Sequence, residues 1–187
     1  IEKYDFIGGN VTLEARFEST KSIISGLYQN GKYVKTWNDI VLEYPDAFRE
    51  SGVIGYQTSY IESYFGNLSG SLVIDNSITS ISGIAFHDCI NLKSVKIPSS
   101  VTSIGIYKAH PSTSAFSYHN SFAGCINLEN IVVDENNSIY DSRNNCNAII
   151  EKLDNSLIAG CKNTIIPTNV TKISNFAFEG TAIKKIY

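Results

Sequence analysis

The sequence has 187 residues, of which 43% are hydrophobic, and its formal net charge at pH 7 is −3. This size allows one or two domains with a buried core, and the weakly acidic balance argues against a generic basic surface for nucleic acid or anionic lipid. No apolar run approaches the length that spans a bilayer. The chain begins at Ile1 and contains no methionine, which predicts a processed or excised fragment.

The first 70 residues show no repeat and predict a small α+β domain or cap. Apolar and polar residues alternate from Val11 to Phe17, which favours a strand. The runs at 23–28 and 33–36 flank Asn30-Gly31, and this pattern predicts a hairpin with a tight turn.

A short helix should follow the hairpin. We expect Asn38 to cap it and Ile40, Val41 and Tyr44 to share one face, with Pro45 starting a second turn that ends near Gly52. Farther along, three tyrosines recur at helical spacing: Tyr56, Tyr60 and Tyr64. They form either a stripe that binds a sugar or a protein, or a face packed on the core. Packing is favoured, because apolar stripes on helices usually face a core.

From about residue 72 the sequence repeats every 23 residues. Ile81 and Ile104 are one such pair, and the run Pro98–Ile104 returns 69 residues later as Pro167–Ile173. Self-similarity at a period in the twenties is typical of leucine-rich-repeat solenoids. Each unit is expected to place a large side chain in its interior. These side chains are Phe86, Phe122 and Phe178.

Alternation explains the rest of a unit. Val95 and Ile97 alternate with polar residues, so they should point inward from a short strand that Pro98 ends. Val101 and Ile104 should fill the opposite wall. Since one unit cannot bury its own apolar face, neighbouring units must stack.

Between Gly105 and Phe122 lie about 13 more residues than the 23-residue period allows. Insertions in solenoids emerge as loops on one face, often the functional one. We therefore expect a recognition site here, although the loop could instead fold over its own unit. Its candidate residues are Tyr107, His110, Phe116, Tyr118 and His119. The two histidines lack an acidic or cysteine partner at ligand spacing, so a metal site is disfavoured.

The next unit is also long, and its apolar runs 148–150 and 157–159 predict a second hairpin. Cys89 and Cys125 occupy a packing position that Thr181 takes later. Cys146 and Cys161 could pair, but buried free thiols are favoured for all four. The adjacent Asp134 and Glu135 suit a solvated turn better than an acid/base pair.

The unit resembles that of the BspA-like leucine-rich repeats. The resemblance covers residues 72–187, and the residues that carry it are Thr79-Ser80-Ile81-Ser82, Ala85-Phe86, Cys89, Leu92, Val95 and Ile97-Pro98. It implies a secreted or surface-attached protein, associated with the outer membrane or cell wall of a bacterium. It also implies adhesion to host or partner-cell macromolecules.

These observations predict an α/β-type leucine-rich-repeat solenoid of short strands and turns at 71–187, preceded by an α+β cap or domain at 1–70. No nucleotide-binding or hydrolase motif is present. The expected function is non-catalytic binding of an extracellular protein or glycan, with no cofactor, metal, nucleic acid or membrane insertion. The alternatives are a glycan-binding module, the targeting arm of a larger surface enzyme, or a structural surface array.

Overall fold

A computed structural model describes residues 23–55, 64–108, 116–118 and 120–183. These residues contain one α-helix, α1 (Trp37–Glu43), and 3₁₀ turns at Pro45–Phe48 and Arg143–Asn145. The remaining elements are short strands. In chain order they are β1 (Gly26–Gln29), β2 (Lys32–Thr36), β3 (Val53–Ile54), β4 (Gly70–Val73), β5 (Ser80–Ile81), β6 (Leu92–Ile97), β7 (Ser103–Ile104), β8 (Ile106–Lys108), β9 (Phe116–Tyr118), β10 (Asn130–Val133), β11 (Tyr140–Asp141), β12 (Ala148–Glu151), β13 (Ser156–Gly160) and β14 (Lys172–Ile173).

The repeat produces a parallel ladder of β4, β6 and β10, whose paired residues are 23 apart between β4 and β6, except at Gly70, and 36 apart between β6 and β10. Leu72 pairs with Val95, and Val95 pairs with Ile131 on the next strand. All three side chains are at most 1% exposed. Because side chains alternate along a strand, this register places the apolar set of each strand on the same face. The predicted inward positions Val95 and Ile97 are confirmed, since both are fully buried.

A second parallel ladder joins β3, β5 and β7. Ile54 pairs with Ile81, and Ile81 pairs with Ile104, so one isoleucine position recurs on three strands. These side chains belong to the same hydrophobic core as Leu72 and Val95. The core therefore lies among residues from both ladders, as the repeat pattern predicts.

Stacked phenylalanines fill this core. The ring centroids of Phe65 and Phe86 lie 4.9 Å apart, and those of Phe86 and Phe122 lie 5.1 Å apart with an interplanar angle of 5°. The interior positions predicted for Phe86 and Phe122 are confirmed. Phe178 differs: it is only partly buried and packs against a second, smaller core cluster. Its ring lies over Gly160, where an added Cβ would come within 2.1 Å of it.

Left-handed residues recur two positions after Phe86, Phe122 and Phe178. Asp88, Gly124 and Gly180 occupy equivalent positions and have φ values of 54°, 75° and 62°. A Cβ on Gly180 would lie 2.6 Å from the backbone nitrogen of Gly124. Glycine is therefore required at position 180 both by its backbone conformation and by the close approach of the preceding unit.

The predicted N-terminal hairpin is confirmed. Strands β1 and β2 are antiparallel, and Asn30 and Gly31 both have positive φ in the turn between them. The predicted helix cap is wrong by two residues. Thr36 caps α1: its Oγ1 accepts the Asp39 N–H at 3.1 Å, and the Asp39 carboxylate accepts the Thr36 N–H at 3.0 Å. This reciprocal capping box satisfies two backbone donors, which a cap at Asn38 would not do.

The hairpin and helix continue the repeat structure at its N-terminal side. Strand β1 pairs antiparallel with β4 and so extends the first ladder. Trp37 of α1 packs edge-on against Phe48, and Phe48 packs against Phe65, the first ring of the stack. The predicted strand from Val11 to Phe17 lies outside the described residues.

The hairpin predicted in the long unit is also confirmed. Strands β12 and β13 are antiparallel, and β13 then pairs in parallel with β14 through Leu157 and Ile173. This second hairpin starts a separate sheet of the order β11-β12-β13-β14. Consequently the second ladder ends at β7 and does not continue onto β14.

Candidate functional site

The described residues of the inserted segment form a two-stranded antiparallel ribbon of β8 and β9. Ile106 pairs with Tyr118, Tyr107 with Ser117, and Lys108 with Phe116. The structure thus brings three predicted site residues, Tyr107, Phe116 and Tyr118, onto one ribbon. His110 and His119 lie outside the described residues. The role of all five in recognition stays a prediction.

A cavity of about 410 Å³ lies where the second ladder ends. Ile104 and Gly105, at the edge of β7, line one side of it, and Lys172 and Ser174, in and just after β14, line another. The ribbon starts directly after Gly105 and ends shortly before Ser121, which also lines the cavity. The predicted recognition segment therefore emerges from the rim of this cavity. We call it the ladder-gap cavity.

Tyr140 forms part of the cavity wall and replaces a missing strand contact. Its phenol oxygen accepts the backbone N–H of Ile104 at 3.1 Å. Tyr140 is 5% exposed, and burial raises the pKa of its hydroxyl, with the nearby Glu151 charge adding to the effect. The phenol is therefore neutral at physiological pH and keeps a proton that it can donate. Among the described residues, that proton has no acceptor.

Charged groups lie at the outer part of the cavity. Asp154 and Lys172 are exposed, whereas Glu151 is half-buried and reaches the cavity from β12. Hydrogen bonding from Ser156 holds the pKa of Asp154 below its ordinary value, and the Lys172 charge acts in the same direction. The cavity thus combines two carboxylates and one ammonium group with the hydroxyls of its inner wall.

Ser121 departs from the repeat on the inner wall. It is 1% exposed, and its hydroxyl makes no hydrogen bond within the structure. The equivalent positions in other units are Ala85 and Ala177. The cavity was not predicted, but this departure from the repeat at Ser121 is a sequence signal that could have indicated it.

Asn137 holds the unit that carries Tyr140 against the preceding unit. Its side-chain amide donates to the carbonyls of Pro98 and Val101, at 3.0 and 2.8 Å. Its side-chain carbonyl accepts the N–H groups of Ile139 and Tyr140. Asn137 is 1% exposed, and its side chain bonds to four backbone groups, three of which belong to buried residues.

Two other predicted features have structural interpretations. Tyr64 is 6% exposed and belongs to the core, which agrees with packing, while Tyr56 and Tyr60 lie outside the described residues. Asp134 accepts the Asn136 N–H at 3.1 Å and lies 3.7 Å from the Lys96 ammonium. It therefore stabilises a turn, as predicted.

All four cysteines are buried and unpaired. The Cys125 thiol donates to the Phe86 carbonyl at 3.0 Å, and the Cys161 thiol donates to the Asn147 carbonyl at 3.2 Å. Burial raises the pKa of Cys161 to about 11 and also raises that of Cys146. Thiols in this state are poor nucleophiles, which suits packing residues.

Two absences apply to the described part of the chain. It holds no group of three or more His, Cys, Asp or Glu side chains placed to bind a metal ion. Nor does any helix in these ranges combine the length and the apolar character that crossing a bilayer requires.

The repeat itself identifies the family. Residues 60–187 match the family model described as the BspA type leucine rich repeat region, in six copies. The chain belongs to this family. Its BspA-type repeats are a fold built from recurring units, and membership makes the chain a repeat module suited to binding other macromolecules.

One solved structure with similarity to this BspA-type chain is a leucine-rich repeat protein from Eubacterium ventriosum ATCC 27560. The sequence identity is 23%, and the TM-score is 0.45. The similarity covers 63% of this chain and 29% of the other, so the chain spans less than a third of that protein's length. No curated protein matches the sequence.

Proposed function

We propose that the chain is part of a BspA-type leucine-rich-repeat solenoid that binds extracellular macromolecules without catalysis. The partner would be a protein or glycan of a host or neighbouring cell, and the protein would be secreted or attached to the cell surface. Family membership supports both the repeat architecture and the interaction role. The inserted ribbon would be the recognition element.

The observation that carries this proposal is the position of the ribbon. Phe86 and Phe122 stack directly although 36 residues separate them, whereas Ile81 and Ile104 pair at a spacing of 23. The insertion therefore leaves the stack undisturbed, and its described residues 106–108 and 116–118 form a paired ribbon. A segment that the core does not need, and that carries Tyr107, Phe116 and Tyr118, suits recognition, because Tyr and Phe are enriched in interfaces.

We further propose that residues 1–70 act as an N-terminal cap. An open end of a repeat stack exposes apolar surface and aggregates unless it is covered. Here β1 extends the first ladder in antiparallel direction, and Trp37 and Phe48 continue the aromatic packing that begins at Phe65. The capping role predicts that removal of residues 23–48 leaves a chain that self-associates.

Deletion of residues 107–119 tests the proposed recognition element. The deletion removes 13 residues and so returns the 36-residue spacing of Phe86 and Phe122 to the 23-residue period, which should preserve stacking. We expect the intact chain to retain one or more proteins from an extracellular-matrix panel, and the deletion variant to lose that retention. Unchanged recovery of every partner would remove the ribbon from the proposal.

A second variant separates the loss of the aromatic side chains from the change in segment length. The triple variant Tyr107→Ser, Phe116→Ser and Tyr118→Ser leaves the segment length unchanged and should lose partner retention as the deletion does.

Sedimentation of the intact chain without any partner distinguishes adhesion from a structural array, since an array would self-associate at micromolar concentration.

A further inference from the structure

The ladder-gap cavity differs from the rest of the repeat structure in the chemistry of its wall. Ser121 places a buried hydroxyl where other units have alanine, and this hydroxyl is unpartnered. The Tyr140 phenol accepts from Ile104 but has no acceptor for its own proton among the described residues. Unpaired buried donors are costly and rare in folded proteins. Ser156 also lines this cavity, and its buried hydroxyl has no partner either. Three such donors around one cavity point to a ligand that accepts hydrogen bonds.

The cavity also requires a ligand that donates hydrogen bonds. Glu151 lines the cavity, is half-buried and forms no ion pair with any described residue. Asp154 lies at the rim of the cavity. Carboxylates are acceptors only, so their partner must carry N–H or O–H groups. An anionic ligand such as phosphate would be repelled by both carboxylates, which outnumber the single Lys172 ammonium.

Size and remaining contacts narrow the ligand class. A volume of about 410 Å³ lies in the range of small-molecule sites. Ile104 and Ile158 supply apolar surface, and Ser174 and Asn175 supply further polar groups. An apolar ligand would leave the hydroxyls of Ser121 and Tyr140 unsatisfied. A polyhydroxylated ring, by contrast, both donates and accepts from every side and presents C–H faces to the isoleucines.

We propose that the ladder-gap cavity binds one or two saccharide residues, with Ser121 and Tyr140 donating to the sugar and Glu151 accepting from its hydroxyls. This site is distinct from the macromolecular surface proposed for the ribbon and uses the described residues at the base of that ribbon. Free sugars can occupy it whether or not the ribbon binds a protein. Failure of either proposal therefore leaves the other standing.

Titration of the ¹⁵N-labelled chain with free sugars tests the site. The probes are glucose, galactose, mannose and N-acetylglucosamine at millimolar concentrations, each monitored by amide chemical shifts. We expect at least one sugar to shift the Gly105 and Ser121 amides in a saturable manner. Absence of a saturable shift with every sugar would show a cavity that holds only water and would overturn the proposal. A tri-alanine amide is the peptide probe, and saturable shifts with it alone would overturn the saccharide assignment.

Two serine variants provide a matched comparison. Ser121→Ala restores the residue that the repeat has at positions 85 and 177, so the variant should fold. Ser82→Ala removes another buried hydroxyl that has no partner but lies outside the cavity lining. We expect S121A to weaken sugar binding about tenfold or more and S82A to change it by less than about twofold. Equal effects of S121A and S82A would show that Ser121 does not contact the sugar.

Glu151→Gln supplies the second measurement. It keeps the size of the side chain, removes the negative charge and replaces one of the two acceptor oxygens with an NH₂ donor. The proposal predicts weaker sugar binding with an unchanged unfolding midpoint. Unchanged binding in both E151Q and S121A would overturn the site even if a sugar shifts amides elsewhere.

Discussion

The phenol oxygen of Tyr140 accepts the backbone N–H of Ile104 at 3.1 Å. Tyr140 occupies the position of Ile104 in the following unit, 36 residues on. In the earlier units the residue at this position is an isoleucine on a strand that pairs with the preceding strand, as Ile104 pairs with Ile81. Here a side chain, and not a strand, satisfies the donor at the ladder edge. The ladder consequently stops, and the ladder-gap cavity forms beside it.

Removing the Tyr140 hydroxyl should destabilise the fold. Tyr140→Phe leaves the buried Ile104 N–H without a partner, and we expect the free energy of unfolding to fall by about 1–3 kcal/mol in urea titrations. Tyr33→Phe is the control, because the Tyr33 hydroxyl donates to the Ser25 carbonyl at an exposed site. Its effect should stay below about 0.5 kcal/mol. Equal losses in the two variants would contradict the structural role of Tyr140.

Asn137 should be among the most sensitive polar positions. Asn137→Ala removes a partner of four backbone groups, three of them in buried residues, so we expect the free energy of unfolding to fall by at least about 2 kcal/mol. Asn136→Ala is a neighbouring control, since the Asn136 side chain is exposed and bonds only to Asp134. Thermal or urea unfolding measures both. A loss at Asn137 no larger than that at Asn136 would show that this contact between units is unimportant.

Gly180 and Gly31 separate the effect of stacking from the effect of backbone strain. Both are left-handed, with φ of 62° and 73°. A Cβ on Gly31 meets no atom within 4 Å, whereas one on Gly180 would meet the Gly124 backbone. Gly180→Ala should therefore cost about 1–3 kcal/mol more than Gly31→Ala. Equal costs, measured as unfolding midpoints under the same conditions, would show that the Gly180 turn does not contact the Gly124 backbone.

The buried thiols predict a loss of stability in alkali. The Cys161 pKa is raised to about 11 in the folded state, while an unfolded thiol ionises near its ordinary value of about 8.5. Stability is therefore fully present below about pH 8.5 and falls as the pH rises toward about 11, because the unfolded state loses its proton first. Urea midpoints across this range measure the fall.

A cysteine variant assigns part of this pH dependence. Cys161→Ser keeps a donor for the Asn147 carbonyl but does not ionise in this range. The decline in its midpoint should therefore be shallower than that of the parent chain. A parallel decline in the two proteins would show that Cys161 does not contribute.

The repeat could be predicted from sequence because its period requires the same residue type at each inward position. Ile81 and Ile104 show this at a spacing of 23, and their pairing is confirmed. The Asn30-Gly31 hairpin was equally accessible, since its turn needs residues that tolerate positive φ. Local chemistry decided both features.

Other features depend on contacts that a period does not specify. Phe178 has the sequence position of Phe86, yet the β12–β13 hairpin directs it onto Gly160 and a second core cluster. Thr36 caps the helix, not the predicted Asn38, because Thr36 and Asp39 form a reciprocal pair of hydrogen bonds. The ladder-gap cavity exists only where two insertions come together in space, so only substitutions such as Ser121 for alanine marked it in the sequence.

The contact between the rings of Phe86 and Phe122 tests the stacking of units most directly. Their centroids lie 5.1 Å apart although 36 residues separate them in the chain. NMR spectroscopy of the protein with isotopically labelled phenylalanine rings, assigned through Phe86→Leu and Phe122→Leu variants, measures the nuclear Overhauser effect between them. Stacked units predict a strong cross-peak between these two rings and another between Phe65 and Phe86. Well-resolved signals from Phe86 and Phe122 with no cross-peak between them would contradict the stacked repeat.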